Sequence, residues 1–297
     1  MWFKNLQLFR VPENWGLTAE DLAAQLEHHS FQPAGGFALE SRGWIPPRGD
    51  DQLVYALSRQ WLIALGVEQK LLPASVIRQT VKERAAELES KVGRKLGRKE
   101  LRDLKEDTIG ELLPRAFSRY RATFAWIDPV AGWLVIDAAS PKKLEEIVEV
   151  LRRSLDEFPV APLKTQVSPV TSMTEWLVSG DGPHGFTVDQ DCELRSQQDE
   201  KSTVRYARHP LDTQEIRNHI AQSMQPSRLA LTWQDRISFV LTDKLEVKRV
   251  VFLDVVKSEV GADQESEEEQ LDADFALMTG QLGKFLPDLV AALGGEA

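Results

Sequence analysis

The sequence predicts an α+β fold: antiparallel or mixed sheets, flanking helices, and one inserted helical hairpin. Short apolar runs closed by Pro, Gly and Asp turns recur in both halves of the 297-residue chain, the mark of strands joined by tight connections. Between Pro73 and Pro114 the apolar spacing switches to three and four residues, the period of a helix. Elsewhere helices fall irregularly among the strands, so the strict strand–helix repeat of a doubly wound sheet is missing.

Asn5 to Val11 reads as the first strand, and Thr18 to His29 as a helix with Thr18 as N-cap and Asp21 at its third position. Trp44-Ile45, Leu53 to Leu57 and Trp61 to Leu65 are short and apolar; Pro46-Pro47, Gly49-Asp50 and Gly66 bound them, which predicts an antiparallel meander. Ile77, Val81, Ala85, Leu88 and Val92 then form one helical stripe, and Leu101, Leu104, Thr108 and Leu112 a second, separated by Gly93 and Gly97. Two helices joined by a glycine-containing turn make a hairpin, with narrow stripes suited to helix-on-helix contact. Strands resume at Arg121 to Ile127 and Trp133 to Ala138 around the loop Asp128-Pro129-Val130-Ala131-Gly132.

Ser140 then caps a helix that starts at Pro141 and buries Leu144, Ile147, Val148 and Leu151, and Pro159 and Pro162 close that unit. The stretch from Thr174 to Val260 holds a short helix at Glu175 to Ser179, strands around Phe186 to Leu194 and Thr203 to Ala207, and a helix from Thr213 to Ser223. Three further strands follow, Leu229 to Trp233, Ile237 to Leu241 and Leu245 to Leu253. A last apolar helix, Phe275 to Leu293, is ended by Gly294-Gly295. The expected division is a central body of 1–73 with 115–173 and 264–297, a hairpin of 74–114, and a sheet-rich unit of 174–263.

Charge is distributed unevenly. The formal net charge is −10, yet Lys70, Arg78, Lys82, Lys91, Arg94, Lys95, Arg98, Lys99, Arg102 and Lys105 crowd into one stretch, which points to an anionic partner. Local potential governs attraction to a phosphate backbone, so an acidic total does not exclude nucleic acid. Lys95, Arg98, Arg102 and Lys105 share one face of the second hairpin helix, where an ordinary solvated face is the competing reading. Arg115, Arg119 and Arg121 alternate along the next strand, and Lys142 and Lys143 open the helix after it. Arg94, Lys95, Arg98, Lys99, Arg102, Arg115, Arg119, Arg121, Lys142 and Lys143 are the candidate DNA contacts. The opposite pole, Asp263, Glu265, Glu267, Glu268, Glu269, Asp272 and Asp274, reads either as a surface that repels DNA or as a helix N-terminus favourable to the dipole.

Catalytic motifs are sparse. Gly280-Gln281-Leu282-Gly283-Lys284 has the wrong spacing for a phosphate-binding loop, and the five histidines form no H-E-x-x-H; no metal site and no cofactor are expected. Asp243 with Glu246-Val247-Lys248 has the order of metal-dependent nucleases, although Glu-x-Lys also arises on any half-buried strand with a charged outer face. Phe117, Tyr120, Phe124 and Trp126 offer either stacking platforms for bases or alternating core residues. The lone Cys192 rules out an intrachain disulfide and reads as a buried bystander. Without a signal peptide pattern or a run of roughly 18 apolar residues, a cytoplasmic protein with no membrane contact is expected.

Several peptides, in order along nearly the entire chain, resemble the RdgC family of bacterial recombination-associated proteins. They are Met1-Trp2-Phe3-Lys4-Asn5-Leu6, Gly43-Trp44-Ile45-Pro46-Pro47, Leu112-Leu113-Pro114-Arg115-Ala116-Phe117-Ser118-Arg119, Trp126-Ile127-Asp128, Thr174-Glu175-Trp176, Leu229-Ala230-Leu231-Thr232-Trp233, and Asp272-Ala273-Asp274-Phe275 with Leu277-Met278-Thr279-Gly280. The resemblance implies a nucleoid-associated, ring-shaped homodimer that encircles duplex DNA without marked sequence preference and restrains RecA-promoted strand exchange. It also implies that the hairpin is a tip meeting its partner, that Arg94 and Lys95 are a basic pair of that tip, and that Phe117, preceded by Arg115, is a gate inserted into the partner subunit. A metal-dependent nuclease and a protein-only module acting on RecA are the alternatives.

Overall fold

Residues of opposite parity along the central strands enter opposite cores, and this two-residue period organises the protein. The structure, a computed structural model, describes residues 1–12, 15–36, 38–197, 202–257 and 266–297. In chain order the elements are β1 (Leu6–Arg10), α1 (Ala19–Glu27), β2 (Glu40–Ile45), β3 (Tyr55–Leu57), β4 (Gln60–Leu71), α2 (Ala74–Val92), α3 (Arg98–Leu112), a 3-10 turn (Leu113–Arg115), β5 (Phe117–Asp128), β6 (Trp133–Asp137) and α4 (Pro141–Ser154). There follow β7 (Ala161–Pro162), α5 (Pro169–Ser179), β8 (Phe186–Ser196), β9 (Thr203–Tyr206), α6 (Gln214–Ala221), β10 (Met224–Trp233), β11 (Ile237–Thr242), β12 (Val247–Phe252), α7 (Asp254–Lys257) and α8 (Glu267–Ala292). The fold is α+β, as the alternation of the sequence predicts.

Among the described residues all twelve strands belong to one sheet, ordered β2-β4-β5-β6-β1-β12-β11-β10-β8-β9, with β3 on β4 and β7 on β1. Its strand pairs are antiparallel. The seam between β1 and β12 is narrow: Leu6 pairs with Val247, and Val250 N–H donates to the Lys4 carbonyl at 2.9 Å. One face packs Ile63, Leu65, Ala125, Ile127, Leu134 and Ile136 against Leu22 and Leu26 of α1 and Ile147 and Leu151 of α4. The other packs Leu8, Leu62, Trp126, Val135, Leu231 and Phe239 against Phe275, Leu282, Phe285 and Leu286 of α8. Because α8 lies under strands from both sides of the seam, its apolar burial joins them, at about 25 cal/mol per Å².

Local signals explain most boundaries. Thr18 accepts from Asp21 N–H while the Asp21 side chain accepts from Thr18 N–H, closing a capping box on α1. Gly43 lets β2 run against the chain at Phe31: a Cβ at 43 would lie 2.4 Å from Phe31 Cα. Flanking backbone bonds of 2.9 Å, Phe31 N–H to the Trp44 carbonyl and Trp44 N–H to the His29 carbonyl, prevent either strand from yielding. Gly43→Ala is therefore expected to cost about 2–3 kcal/mol, read as a lower denaturant midpoint at constant m-value; a change below about 0.5 kcal/mol would mean that the Phe31 segment moves freely.

Several sequence expectations need correction. The short helix at Glu175 to Ser179 is a full α5 from Pro169, because Ser168 caps it and Pro169 occupies its first turn. The last helix begins at Glu267, not Phe275. Ser266 caps it, and Glu267, Glu268 and Glu269 occupy the end where carboxylates favour the dipole. The acidic stretch is thus partly a helix start, and two of its members hold the body: Asp272 accepts from the Tyr55 hydroxyl at 2.6 Å, and Asp274 pairs with the Met1 amine at 2.6 Å. Asp263 and Glu265 lie outside the described residues. Arg115 sits in the 3-10 turn, so only Arg119 and Arg121 alternate within a strand.

Candidate nucleic-acid interface

The hairpin α2–α3 is set apart from both cores. No side chain of α2 is buried, and on α3 only Thr108 is. Apolar residues on its inner side remain accessible, with Val92 at 56% and Leu88 and Leu101 at 38% exposure. Ile77, Val81, Ala85 and Leu101 line an open groove of about 480 Å³ between the helices. The helix-on-helix stripes read from the sequence therefore touch only loosely, and the hairpin gains little from burial.

Electrostatics order its turn instead. Gly93 ends α2 at φ 70, in the left-handed region that glycine adopts without strain. Glu89 Oε1 accepts from Leu96 N–H at 2.9 Å, and Glu100 Oε2 accepts from Gly97 N–H at 2.8 Å. The Arg94 guanidinium donates to both Glu100 oxygens, at 2.8 and 2.9 Å. Bonds from Arg94 and from Gly97 N–H hold the Glu100 carboxyl down to about 2. The folded-state value lies below the unfolded one, so the stabilising contribution is complete above the ordinary carboxylate range and disappears as pH falls through about 2. An NMR titration should find Glu100 still ionised at pH 3, with Arg94→Ala returning its midpoint toward the ordinary carboxylate range; an unchanged midpoint in the variant would show that Gly97 N–H acts alone.

The ten sequence-predicted contacts occupy three kinds of position. Lys95, Arg98 and Lys99 have no carboxylate partner within 4.0 Å among the described residues. Lys95, expected on the second helix, lies instead in the turn ahead of it, because Gly97 caps α3 and the helix begins at Arg98; Arg102, on α3 with Arg98 and Lys99, stands 3.8 Å from Glu106 and 3.9 Å from Asp103, loose and solvated. On β5 the odd-numbered residues share the face covered farther along by α1 and α4, which places Phe117, Arg119 and Arg121 on one side. Arg119 is exposed. Arg121 points down that face to Glu146 of α4, which is 3% exposed, at 2.6 Å; Arg42 and Lys142 approach the same carboxylate at 3.8 Å. The Glu146 oxygens lack aligned hydrogen bonds, so this is a Coulombic cluster that fixes α4 on the sheet.

Lys142 and Lys143 stand in the first turn of α4, which carries no acidic residue. Cations there oppose the helix dipole; Lys142 is offset by Glu146 one turn on, and Lys143 has no carboxylate within 4.0 Å among the described residues. The aromatic series divides by position along β5. Trp126 is fully buried and Phe124 packs on the α8 core, whereas Tyr120 is 64% and Phe117 85% exposed.

Two of the three candidate nuclease residues, Glu246 and Lys248, are committed to each other. Glu246 receives Lys248 Nζ at 2.8 Å, the Gln7 amide at 3.0 Å and the Thr242 hydroxyl at 3.4 Å. No group of three or more His, Cys, Asp or Glu suited to a metal occurs among the described residues. Cys192 is buried beside Glu193, and burial first and that carboxylate second push its thiol up to about 12, far from a reactive value. Among the described residues no helix is long and apolar enough to cross a membrane. Sequence reading missed Glu100 and Glu146, the acids that engage Arg94 and Arg121. Contacts across a turn or between a strand and a distant helix leave no periodic trace.

Fold and site together define a sheet protein that presents a helical hairpin with unpaired cations near its turn, and an exposed aromatic residue where the hairpin rejoins the sheet. The chain matches the family described as "Putative exonuclease, RdgC" over residues 1–296. It is 52% identical over 296 residues to the recombination-associated protein RdgC of Janthinobacterium sp. (strain Marseille), with 100% of this chain and 99% of the relative covered. To that of Dechloromonas aromatica (strain RCB) it is 52% identical over 299 residues, with 100% and 98% covered. To that of Herminiimonas arsenicoxydans it is 50% identical over 296 residues, with 100% and 99% covered. The chain belongs to the RdgC family of recombination-associated proteins.

Proposed function

We propose that this protein is a non-enzymatic, sequence-independent binder of duplex DNA that closes around it as a homodimeric ring and restrains RecA-promoted strand exchange by occupying the DNA. The observation that carries this reading is the hairpin: a helix pair with almost no buried surface, unpaired Lys95, Arg98 and Lys99 near its turn, and the exposed Phe117 at its base. Point charges on a helix face address phosphates and not base edges, which predicts backbone contact without sequence choice. In this reading 74–114 is the tip, 1–73 with 115–173 and 264–297 the body, and 174–263 the base. Lys95, Arg98, Lys99, Arg102, Arg115, Arg119, Lys142 and Lys143 face phosphate; Arg94 orders the turn, and Arg121 secures α4.

The word exonuclease in the family description motivates a direct comparison with catalysis. Supercoiled and linear duplex incubated with Mg²⁺ or Mn²⁺ should remain uncut while its mobility shifts. Inhibition of RecA should disappear when spare bystander duplex absorbs the protein. Metal-dependent cutting would replace the reading with a nuclease, and inhibition that survives the spare duplex would replace it with direct contact to RecA.

A further inference from the structure

A buried carboxylate sits where the hairpin rejoins the sheet. Glu68 of β4 is 2% exposed and opposes Tyr120 of β5. Glu68, Lys70, Ser118 and Tyr120 therefore share one face of the sheet, and Leu71, Phe117 and Arg119 the other. Farther along β4 and β5 the Glu68 face packs on α8 through Leu62 and Trp126; at this end residues 31–36 lie over it instead. Ala34 N–H donates to Glu68 Oε2 at 2.7 Å, the Ser118 hydroxyl donates to Oε1 at 2.5 Å, and Lys70 Nζ stands 3.6 Å away. Phe31 meets the Tyr120 ring edge-on, with centroids 6.5 Å apart.

One carboxylate thus ties three segments together: the strap 31–36, β4 and the start of β5. Bonds from Ser118 first and Ala34 second hold the Glu68 carboxyl below the ordinary carboxylate range, so it accepts as a charged group, and charge-assisted bonds are the stronger kind. Phe117 stands in the last register pair of β5, opposite Leu71, with its ring 85% exposed. The direction of that ring is set by its own backbone, and the end of a strand pair is where a ladder frays. Ser118 is the adjoining residue, and its bond to Glu68 fastens the Phe117 backbone to the body.

We propose that Glu68 is a positioning residue for closure of the ring: through Ser118 it holds the start of β5 in the pose from which Phe117 reaches the partner subunit. The inference rests on the reading of Phe117 as the closing residue. Sedimentation across a dilution series tests it on wild type, Ser118→Ala, Ser118→Thr, Glu68→Gln, Phe117→Ser and Phe117→Ser/Ser118→Ala, with thermal unfolding confirming that each is folded. A bond to a charged acceptor shifts a local equilibrium about tenfold, and apparent affinity falls with the fraction of protomers in the competent pose. Ser118→Ala should therefore weaken self-association about 10-fold, while Ser118→Thr, which keeps the hydroxyl, should associate as wild type does. Glu68→Gln leaves one acceptor oxygen for two donors and should weaken association in the same direction. In the Phe117→Ser background, Ser118→Ala should change association less than about twofold, because the ring it positions is gone. If folded Ser118→Ala and Glu68→Gln associate like wild type while Phe117→Ser does not, or if Ser118→Ala costs the same in both backgrounds, the positioning role is refuted and the reading of Phe117 stands. If Phe117→Ser itself leaves association unchanged, both fall.

Discussion

Lys95→Gln/Arg98→Gln/Lys99→Gln is expected to bind duplex DNA about 500-fold more weakly at 0.1 M salt, with the deficit closing toward 1 M. Each phosphate contact contributes about 0.9 to the slope of log K against log salt, so three make it shallower by about 2.7. These residues suit the test because no ion pair must be broken to remove them, and α3 buries only Thr108, so thermal stability should stay within about 0.5 kcal/mol of wild type. The loss should be uniform across duplex sequences. Equal affinity at low salt would remove the hairpin from the interface. Arg94→Gln is a different experiment: it also releases Glu100, adding an uncompensated negative charge to the turn.

Phe117→Ser should weaken self-association about 150-fold, from about 3 kcal/mol for an aromatic ring withdrawn from a partner pocket. The ring is 85% exposed in the protomer, so the substitution creates no cavity there and should leave unfolding of the monomer unchanged. Its neighbour across the strand pair is Leu71, itself 45% exposed. Sedimentation across a dilution series separates the two effects, and retention on circular versus linear duplex reports closure of the ring. Unchanged association together with unchanged retention would reduce Phe117 to an ordinary exposed side chain.

How far the site could be read in advance depends on the range of the interaction. Arg98 and Lys99 were legible because charge density and helical spacing are local properties, and the bracketing by Pro73 and Pro114 marks an excursion; Lys95 was legible by charge alone, since it lies in the turn before α3. Their freedom from carboxylates was not legible, nor was the engagement of Arg94 by Glu100 or of Arg121 by Glu146. Trp126 and Phe117 belong to one aromatic series, and their separation into core and surface depends on where β5 leaves the shelter of α1, α4 and α8. The extended start of α5 was in principle readable from Ser168-Pro169, a cap followed by a first-turn proline. Tertiary contacts did not need to override any propensity there.

The sequence by itself determined the α+β class, the hairpin and its charge, and the family, because alternation, helical period, glycine turns and ordered motifs are all written along the chain. Only the tertiary structure decided that the strands form one sheet across the Leu6–Val247 seam, that α8 underlies both sides of it, and that Arg121 of β5 reaches Glu146 of α4. The physical reason is that strand order and facing are set by pairings between residues as far apart as Gln7 and Glu246. Hydrophobic burial rewards such pairings only when the chain closes on itself.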